Sequence, residues 1–255
     1  MGFSRVSEVE RIIPLTVSVV SHGHGAMVEA LLWDLSLCPQ IARVVLTHNI
    51  AEEEISCPQS LLQRTERIRN KYPLGFGANH NQAFRLCETE LFAVLNPDIR
   101  FPNDPFPQLA ALLDLRRAGV VGPTVVDPEG RLEDSARRFP TAIRLVRKLI
   151  LGNDGSVLLK DKSPCDVDWL AGMFLLFSAR AFRECGGFDE QFHLYYEDVD
   201  ICTRLWRRNW RVILDPRVFV VHAAQRDSRR NFRYAIWHLS SMLRYLTRTI
   251  WRLPR

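Results

Sequence analysis

The sequence predicts an α/β fold with a mostly parallel central sheet and helices on both of its faces. Three observations carry this. Residues 15–21 (LTVSVVS), 41–47 (IARVVLT) and 91–95 (LFAVL) are short apolar runs, the pattern of strands buried on both faces. Between the first two, residues 27–37 (MVEALLWDLSL) carry apolar positions at helical spacing and stop near Pro39. Each run then ends in polar residues: His22-Gly23-His24-Gly25, His48-Asn49 and Asn96-Pro97-Asp98. Ligands of open α/β sheets sit outside the carboxyl ends of the strands. His22, His48, Asn49 and Asp98 are therefore the first candidate site residues.

The remaining elements follow in order. Residues 72–77 read as a loop and 78–86 as the helix after it. Residues 106–118 read as a helix, 119–127 as a strand, and Pro128-Glu129-Gly130 as a turn. Residues 137–162 are a basic, weakly patterned excursion. Residues 169–177 read as one apolar strand, 179–185 as a short helix ended by Gly186-Gly187, and 196–206 as a helix with an acidic start. Residues 211–214 and 218–222 read as two short strands.

Length and composition bound the rest. A chain of 255 residues, 47% hydrophobic, buries one sizeable core. The expected division is one domain over residues 1–225 and a basic tail over 226–255. No apolar run reaches the ~18 residues a membrane span needs. The six cysteines are scattered without a CxxC pair, which suits reduced thiols in the cytoplasm. Net charge is +5, but residues 226–255 hold eight Arg and one Asp, leaving −2 for the rest. The basicity belongs to the tail, which argues against a general nucleic-acid surface.

Several constellations carry chemistry, and each has a plain structural reading beside the functional one. Asn96-Pro97-Asp98 is good turn chemistry. Asp98 could equally hold a hard cation such as Mg2+, which needs only one or two carboxylates when phosphate oxygens complete its shell. Glu197, Asp198 and Asp200 crowd a helix start, where acids offset the macrodipole. Beside Tyr195 and Tyr196, a carboxylate there could also have a raised pKa and act as a general base. His222 ends the apolar run VFVVH as a packed residue or a metal ligand. In PLGFGANHN, the glycines make either a tight connection or a close backbone approach to phosphate.

Taken together, four motifs in fixed order resemble a family 2 glycosyltransferase of the GT-A fold, in the branch containing bacterial rhamnosyltransferases. They are LGFGANHN, LNPD, the run DWLAGMFLLFSARAFRECGGFDEQFHLYYEDVDICTRL, and WRVILDPRVFVVH. The resemblance runs from about residue 16 to about 222. It implies a three-layer, Rossmann-like nucleotide-diphospho-sugar transferase. It implies Mg2+ or Mn2+ at Asp98 and His222, with Asn96 where many relatives carry another acid. It implies Asp198 as catalytic base, with Glu197 orienting it. Ser21, His22, Gly23, His48, Asn49, Gly77, Asn79 and Asn81 would contact the nucleotide, and Trp169, Gly172 and Asp200 the acceptor. Two departures stand out: relatives usually carry Asp in place of His48, and Tyr-Asn is commoner than the SHGHG turn.

The expected activity is inverting transfer of a sugar, with rhamnose the candidate, from a dTDP- or UDP-linked donor. The expected acceptor is a hydroxyl of a cell-surface glycan or lipid-linked saccharide. A nucleotidyltransferase would need a basic loop after the first strand, and SHGHG has no Lys or Arg. A non-catalytic nucleotide-sugar-binding protein is opposed by intact Asp98, Asp198 and His222. A dinucleotide oxidoreductase is opposed by the lack of GxGxxG. On a helical wheel of the tail, Phe232, Ala235, Leu239, Met242, Leu243, Leu246 and Ile250 share one side. Arg233, Trp237, Arg244, Arg248 and Trp251 share the other. The tail reads either as a helix docked on the core or as a peripheral contact with an anionic bilayer, at the inner face of the cytoplasmic membrane.

Overall fold

The computed structural model describes residues 12–141, 163–223 and 232–249, the first four of the last segment by backbone alone. The expected strands and helices form, with some shifted ends. The strands are β1 (Leu15–Ser21), β2 (Ile41–His48), β3 (Thr65–Arg69), β4 (Leu91–Leu95), β5 (Ile99–Arg100) and β6 (Ala118–Val126). They continue as β7 (Ala136–Arg137), β8 (Cys165–Asp166), β9 (Trp169–Leu170), β10 (Phe174–Ser178) and β11 (Arg211–His222). The helices are α1 (Gly25–Ser36), α2 (Gln59–Leu62), α3 (Phe76–Phe84), α4 (Phe106–Leu115), α5 (Ala179–Glu184), α6 (Glu197–Arg207) and α7 (Phe232–Thr249).

Among the described residues the main sheet has the order β3-β2-β1-β4-β10-β6-β11-β5, with β8 on β11. The long pairings of β1 with β2 and β4, of β2 with β3, and of β6 with β11 are parallel. The strand β10 runs antiparallel to both β4 and β6. Alternation along a strand feeds two cores. On β4, Leu91, Ala93 and Leu95 join α1 and α4 on one face. Phe92 and Val94 join α3, α5 and α6 on the other. This gives three layers.

Three differences from the sequence expectation have physical causes. The run 169–177 is two strands: a tight turn at residues 171–173 diverts β9 into a separate two-stranded ribbon with β7. Conversely, 211–214 and 218–222 are one strand. Asp215-Pro216 makes a bulge whose buried carboxylate is held by Arg217 at 2.9 Å, so the ladder resumes beyond it. The strand β3 (TERIR) was not expected. It is an edge strand with charged side chains, and Arg43 meets Glu66 there at 2.9 Å.

The helix α7 docks on the core, but not by the predicted side. Tyr245 is fully buried, and its hydroxyl lies 2.8 Å from the Thr203 hydroxyl on α6. Ser241 donates to the Leu194 carbonyl at 3.0 Å. The wall it meets offers two oxygen acceptors, so the face with Ser241 and Tyr245 turns inward, and Thr249, buried on the same face, bonds back to the Tyr245 carbonyl. Met242 and Leu246 pack beside it, whereas Ile236, Leu239 and Leu243 stand 50–53% exposed. Arg248 and Arg244, placed opposite the apolar side on the wheel, instead reach the loop before α6, through Asp189 and Gln191. Ile250, Trp251 and the side chains of Phe232, Arg233 and Ala235 lie outside the described residues. So does most of the 137–162 excursion.

Candidate active site

Asp98 and His222 meet although 124 positions separate them. The turn after β4 leads into β5, and β5 pairs antiparallel with the end of β11, matching Ile99 to His222. The Ala223 N–H donates to the Asp98 carbonyl at 2.9 Å and fixes the register. His222 Nε2 then lies 3.2 Å from Asp98 Oδ2. On the other edge of the ring, Nδ1 lies 2.6 Å from Glu133 Oε2. Burial pulls the His222 pKa down, but the hydrogen bonds and charges of Asp98 and Glu133 outweigh it, and the net shift is upward.

The pair fits a divalent cation on two counts. Asp98 Oδ1 is buried without any hydrogen-bond partner, a costly state for a carboxylate unless an ion is its natural partner. Cis ligands of an octahedral ion with bonds of ~2.1 Å stand ~3 Å apart, close to the 3.2 Å observed.

The second group of acids sits at the start of α6. Tyr195 and Tyr196 both adopt left-handed backbone, with φ of 68° and 69°. Such conformations are strained for bulky residues and cluster at functional sites. They turn the chain so that Glu197 and Asp198 open the helix. Asp198 Oδ2 accepts from the Gly172 N–H at 3.0 Å and Oδ1 from its neighbour Val199 at 2.8 Å. Burial raises the Asp198 pKa, and these two N–H groups only partly offset it. Glu197 is more deeply buried, with Oε2 unpartnered. Burial, then the Asp198 charge, holds its pKa well above the usual range. Burial thus raises the pKa of both carboxylates, and the two N–H groups on Asp198 favour its ionised form.

The turn at residues 171–173 joins both groups. Met173 accepts from the Asn96 N–H at 2.9 Å, beside Asp98, while Gly172 holds Asp198. Ala171 donates to the Ser135 carbonyl at 2.8 Å, two residues from Glu133. Trp169 lies just before the turn, with the Arg137 guanidinium 5.9 Å from its ring.

At the ends of β1 and β2, Ser21, His22, Gly23, His48 and Asn49 come together. Gly23 has φ +82°, which glycine tolerates best. Asn49 Nδ2 lies 3.1 Å from His22 Nδ1, and its Oδ1 accepts from the Leu74 N–H at 2.8 Å. His48 is buried; burial and then Arg69 lower its pKa, so the ring is neutral. Glu52 Oε1 lies 3.3 Å from its Nδ1 without a hydrogen bond, and the other Glu52 oxygen accepts from the Ser21 hydroxyl at 2.7 Å. The sequence reading missed Glu52, whose only local signal is its place four residues after His48. It also missed Glu133, which nothing local marks.

Four candidates are tied into the scaffold instead. A Cβ on Gly77 would stand 2.8 Å from that of Phe188, so this glycine admits the 188–193 segment. Asn79 donates to the Leu74 and Gly75 carbonyls and accepts from Asn70 at 2.7 Å. Asn81 donates to the Phe188 carbonyl and accepts from its N–H, each at 2.8 Å. Asp200 is ion-paired with Arg204 at 2.7 Å. Asn79 thus ties α3 to the loop before it, Asn81 ties α3 to Phe188, and Asp200 orients Arg204, which donates to the Cys185 and Gly187 carbonyls.

A family model described as "Glycosyl transferase family group 2" matches residues 91–251, which include Asp98, Glu133, Asp198 and His222. This chain belongs to that family. It is a glycosyltransferase, an enzyme that moves a sugar. The chain is 29% identical over 253 residues to rhamnosyltransferase WbbL of Escherichia coli K12, covering 91% of this chain and 92% of that protein. It is 31% identical over 232 residues to the N-acetylglucosaminyl-diphospho-decaprenol L-rhamnosyltransferase of Mycobacterium tuberculosis, covering 82% and 75%. Among solved structures, it resembles mannosyltransferase PcManGT from Pyrobaculum calidifontis in complex with GDP-Man and Mn2+. The TM-score is 0.63 at 16% identity, over 92% of this chain and 64% of that one. GalNAc-T7 with UDP, GalNAc and Mn2+ gives 0.63 at 15%, over 84% and 44%. These likenesses establish the GT-A fold. Among the described residues, no helix is long and apolar enough to cross a membrane.

Proposed function

We propose that this glycosyltransferase transfers a sugar, with rhamnose the candidate, from a dTDP- or UDP-linked donor to a lipid-linked or cell-surface saccharide, inverting the anomeric carbon. The rhamnosyltransferase relatives support the sugar and the acceptor class. The observation that carries the reaction is the separation of roles. One carboxylate, Asp98, faces an imidazole with a free buried oxygen, and a different carboxylate, Asp198, has a raised pKa.

Asp98 and His222 would hold Mg2+ or Mn2+ on the donor side, where a bound cation offsets charge developing on the leaving diphosphate. The pocket of Ser21, His22, Gly23, His48 and Asn49 would take the nucleotide, with Asn96 beside the diphosphate. The wall of Trp169 and Gly172 would face the acceptor. Asp198 takes the proton of the attacking hydroxyl as the bond forms, a contribution of roughly 10²–10⁴-fold. Two N–H donors hold the carboxylate in place and favour its ionised form. The donor would bind at the carboxyl edge of β1, β2 and β4, and the acceptor near α6 and α7.

Asp198→Asn and Asp98→Ala test the assignment together. The first should lower transfer by that factor with donor affinity retained. The second should weaken Mn2+-dependent binding of UDP or dTDP. Near-wild-type turnover in the Asn variant would remove Asp198 as base.

A further inference from the structure

The contact between Glu133 and His222 lies outside every role assigned so far. Glu133 follows the hairpin that leaves β6. Asp127 Oδ1 accepts from the N–H groups of Glu129 and Arg131 at 3.0 and 2.8 Å, and Gly130 completes the turn at φ +79°. Val126 bridges to Leu132, and the Glu133 N–H donates to the Val125 carbonyl at 2.8 Å. The hairpin is therefore closed independently of His222. It sets the Glu133 carboxylate 2.6 Å from Nδ1.

The two nitrogens of an imidazole point to opposite edges of the ring. A cation shared with Asp98 can reach only Nε2, so Glu133 cannot join the same ion. A carboxylate accepts hydrogen bonds and does not donate them. Nδ1 must therefore carry a proton, and Nε2 is the only ring nitrogen that can be presented to a cation on the Asp98 side. Carboxylates placed behind ligating histidines fix the ring and its tautomer in this way.

We propose that Glu133 is a positioning residue that aims His222 Nε2 at the Asp98 side and so sets the affinity of that site for a divalent cation. This rests on the reading of Asp98 and His222 as cation ligands, given above.

The test is Mn2+ titration followed by the paramagnetic resonance of free Mn2+, using the full chain. Wild type is compared with Glu133→Leu, Glu133→Gln and His222→Ala. The Leu variant should bind Mn2+ roughly 10–100-fold more weakly. The Gln variant, whose carbonyl still accepts the Nδ1 hydrogen, should recover most of that loss. In transfer assays the Mn2+ concentration for half-activation should rise in the Leu variant while turnover at saturating Mn2+ holds. The unfolding temperature in EDTA checks that each variant is folded. If His222→Ala weakens Mn2+ binding and Glu133→Leu does not, the positioning role is wrong and the cation reading stands. If wild type and His222→Ala bind Mn2+ equally, both readings fall.

Discussion

Gly77→Ala separates two uses of a glycine-rich loop. A Cβ at this position would lie 2.8 Å from the Phe188 Cβ. Carbon atoms in good contact stand ~3.5–4.0 Å apart, so something must move by about 1 Å. Phe188 has little room to do so. It is buried among Phe76, Phe177 and Phe182, with ring centroids at 5.7, 6.0 and 5.4 Å. Its backbone is also clamped by Asn81. Overpacking of this kind costs about 1–3 kcal/mol. For a chain of this size that is a fall of about 2–6 °C in the unfolding temperature. The assay is calorimetry with and without a saturating nucleoside diphosphate. Since the glycine admits protein rather than phosphate, nucleotide affinity should hold while stability falls. Unchanged stability with lost nucleotide binding would refute the packing argument.

Three further outcomes follow from the same contacts. Glu197 has a folded pKa well above its ordinary value of 4.5. The stability this proton confers is complete below pH 4.5 and is lost as pH rises towards the folded value; Glu197→Gln, which mimics the protonated form, should therefore unfold at a higher temperature than wild type near pH 8, and a lower one would contradict the assignment. Tyr245→Phe removes the buried hydroxyl contact with Thr203 and should lower stability by about 0.5–1.5 kcal/mol in chemical denaturation, with no loss indicating that α7 docks by its rings alone. The exposed stripe of Ile236, Leu239 and Leu243, on a tail with a net charge of +7, should carry the full chain up with anionic liposomes and not with neutral ones; failure to float with either would dismiss peripheral membrane contact.

What the sequence reveals depends on where each signal comes from. The strands β1, β2 and β4 announce themselves because burial on both faces forces continuous apolar runs. The strand β3 hides because an edge tolerates Glu66, Arg67 and Arg69. Two-residue β5 has no local signal at all, since it exists only through its pairing with β11. Asp98 and His222 were legible from the family pattern, and their contact bears out the expectation that they lie together. The side chains of Asn79, Asn81 and Asp200 read as ligand groups because local sequence cannot tell a protein partner from a substrate. The wheel of α7 misled for a related reason. It ranks faces by hydrophobicity, whereas the receiving wall selected hydroxyls.

The geometry also explains why a strand that looked continuous had to break. Had residues 169–177 formed one strand, residue 172 would have offered its N–H to the sheet. As a turn, the segment points Gly172 at Asp198 and accepts Asn96 next door. A side chain at Gly172 would stand 3.1 Å from the Phe76 ring, so this position has almost no slack. The base and the cation candidates therefore share one short piece of backbone. Each is joined to it by one hydrogen bond, Asp198 through the Gly172 N–H and the Asn96 N–H through the Met173 carbonyl. The strand β10 leaves this turn and enters the sheet antiparallel to both β4 and β6. The strand that runs against both of its neighbours thus starts directly from the turn that holds Asp198 and meets Asn96.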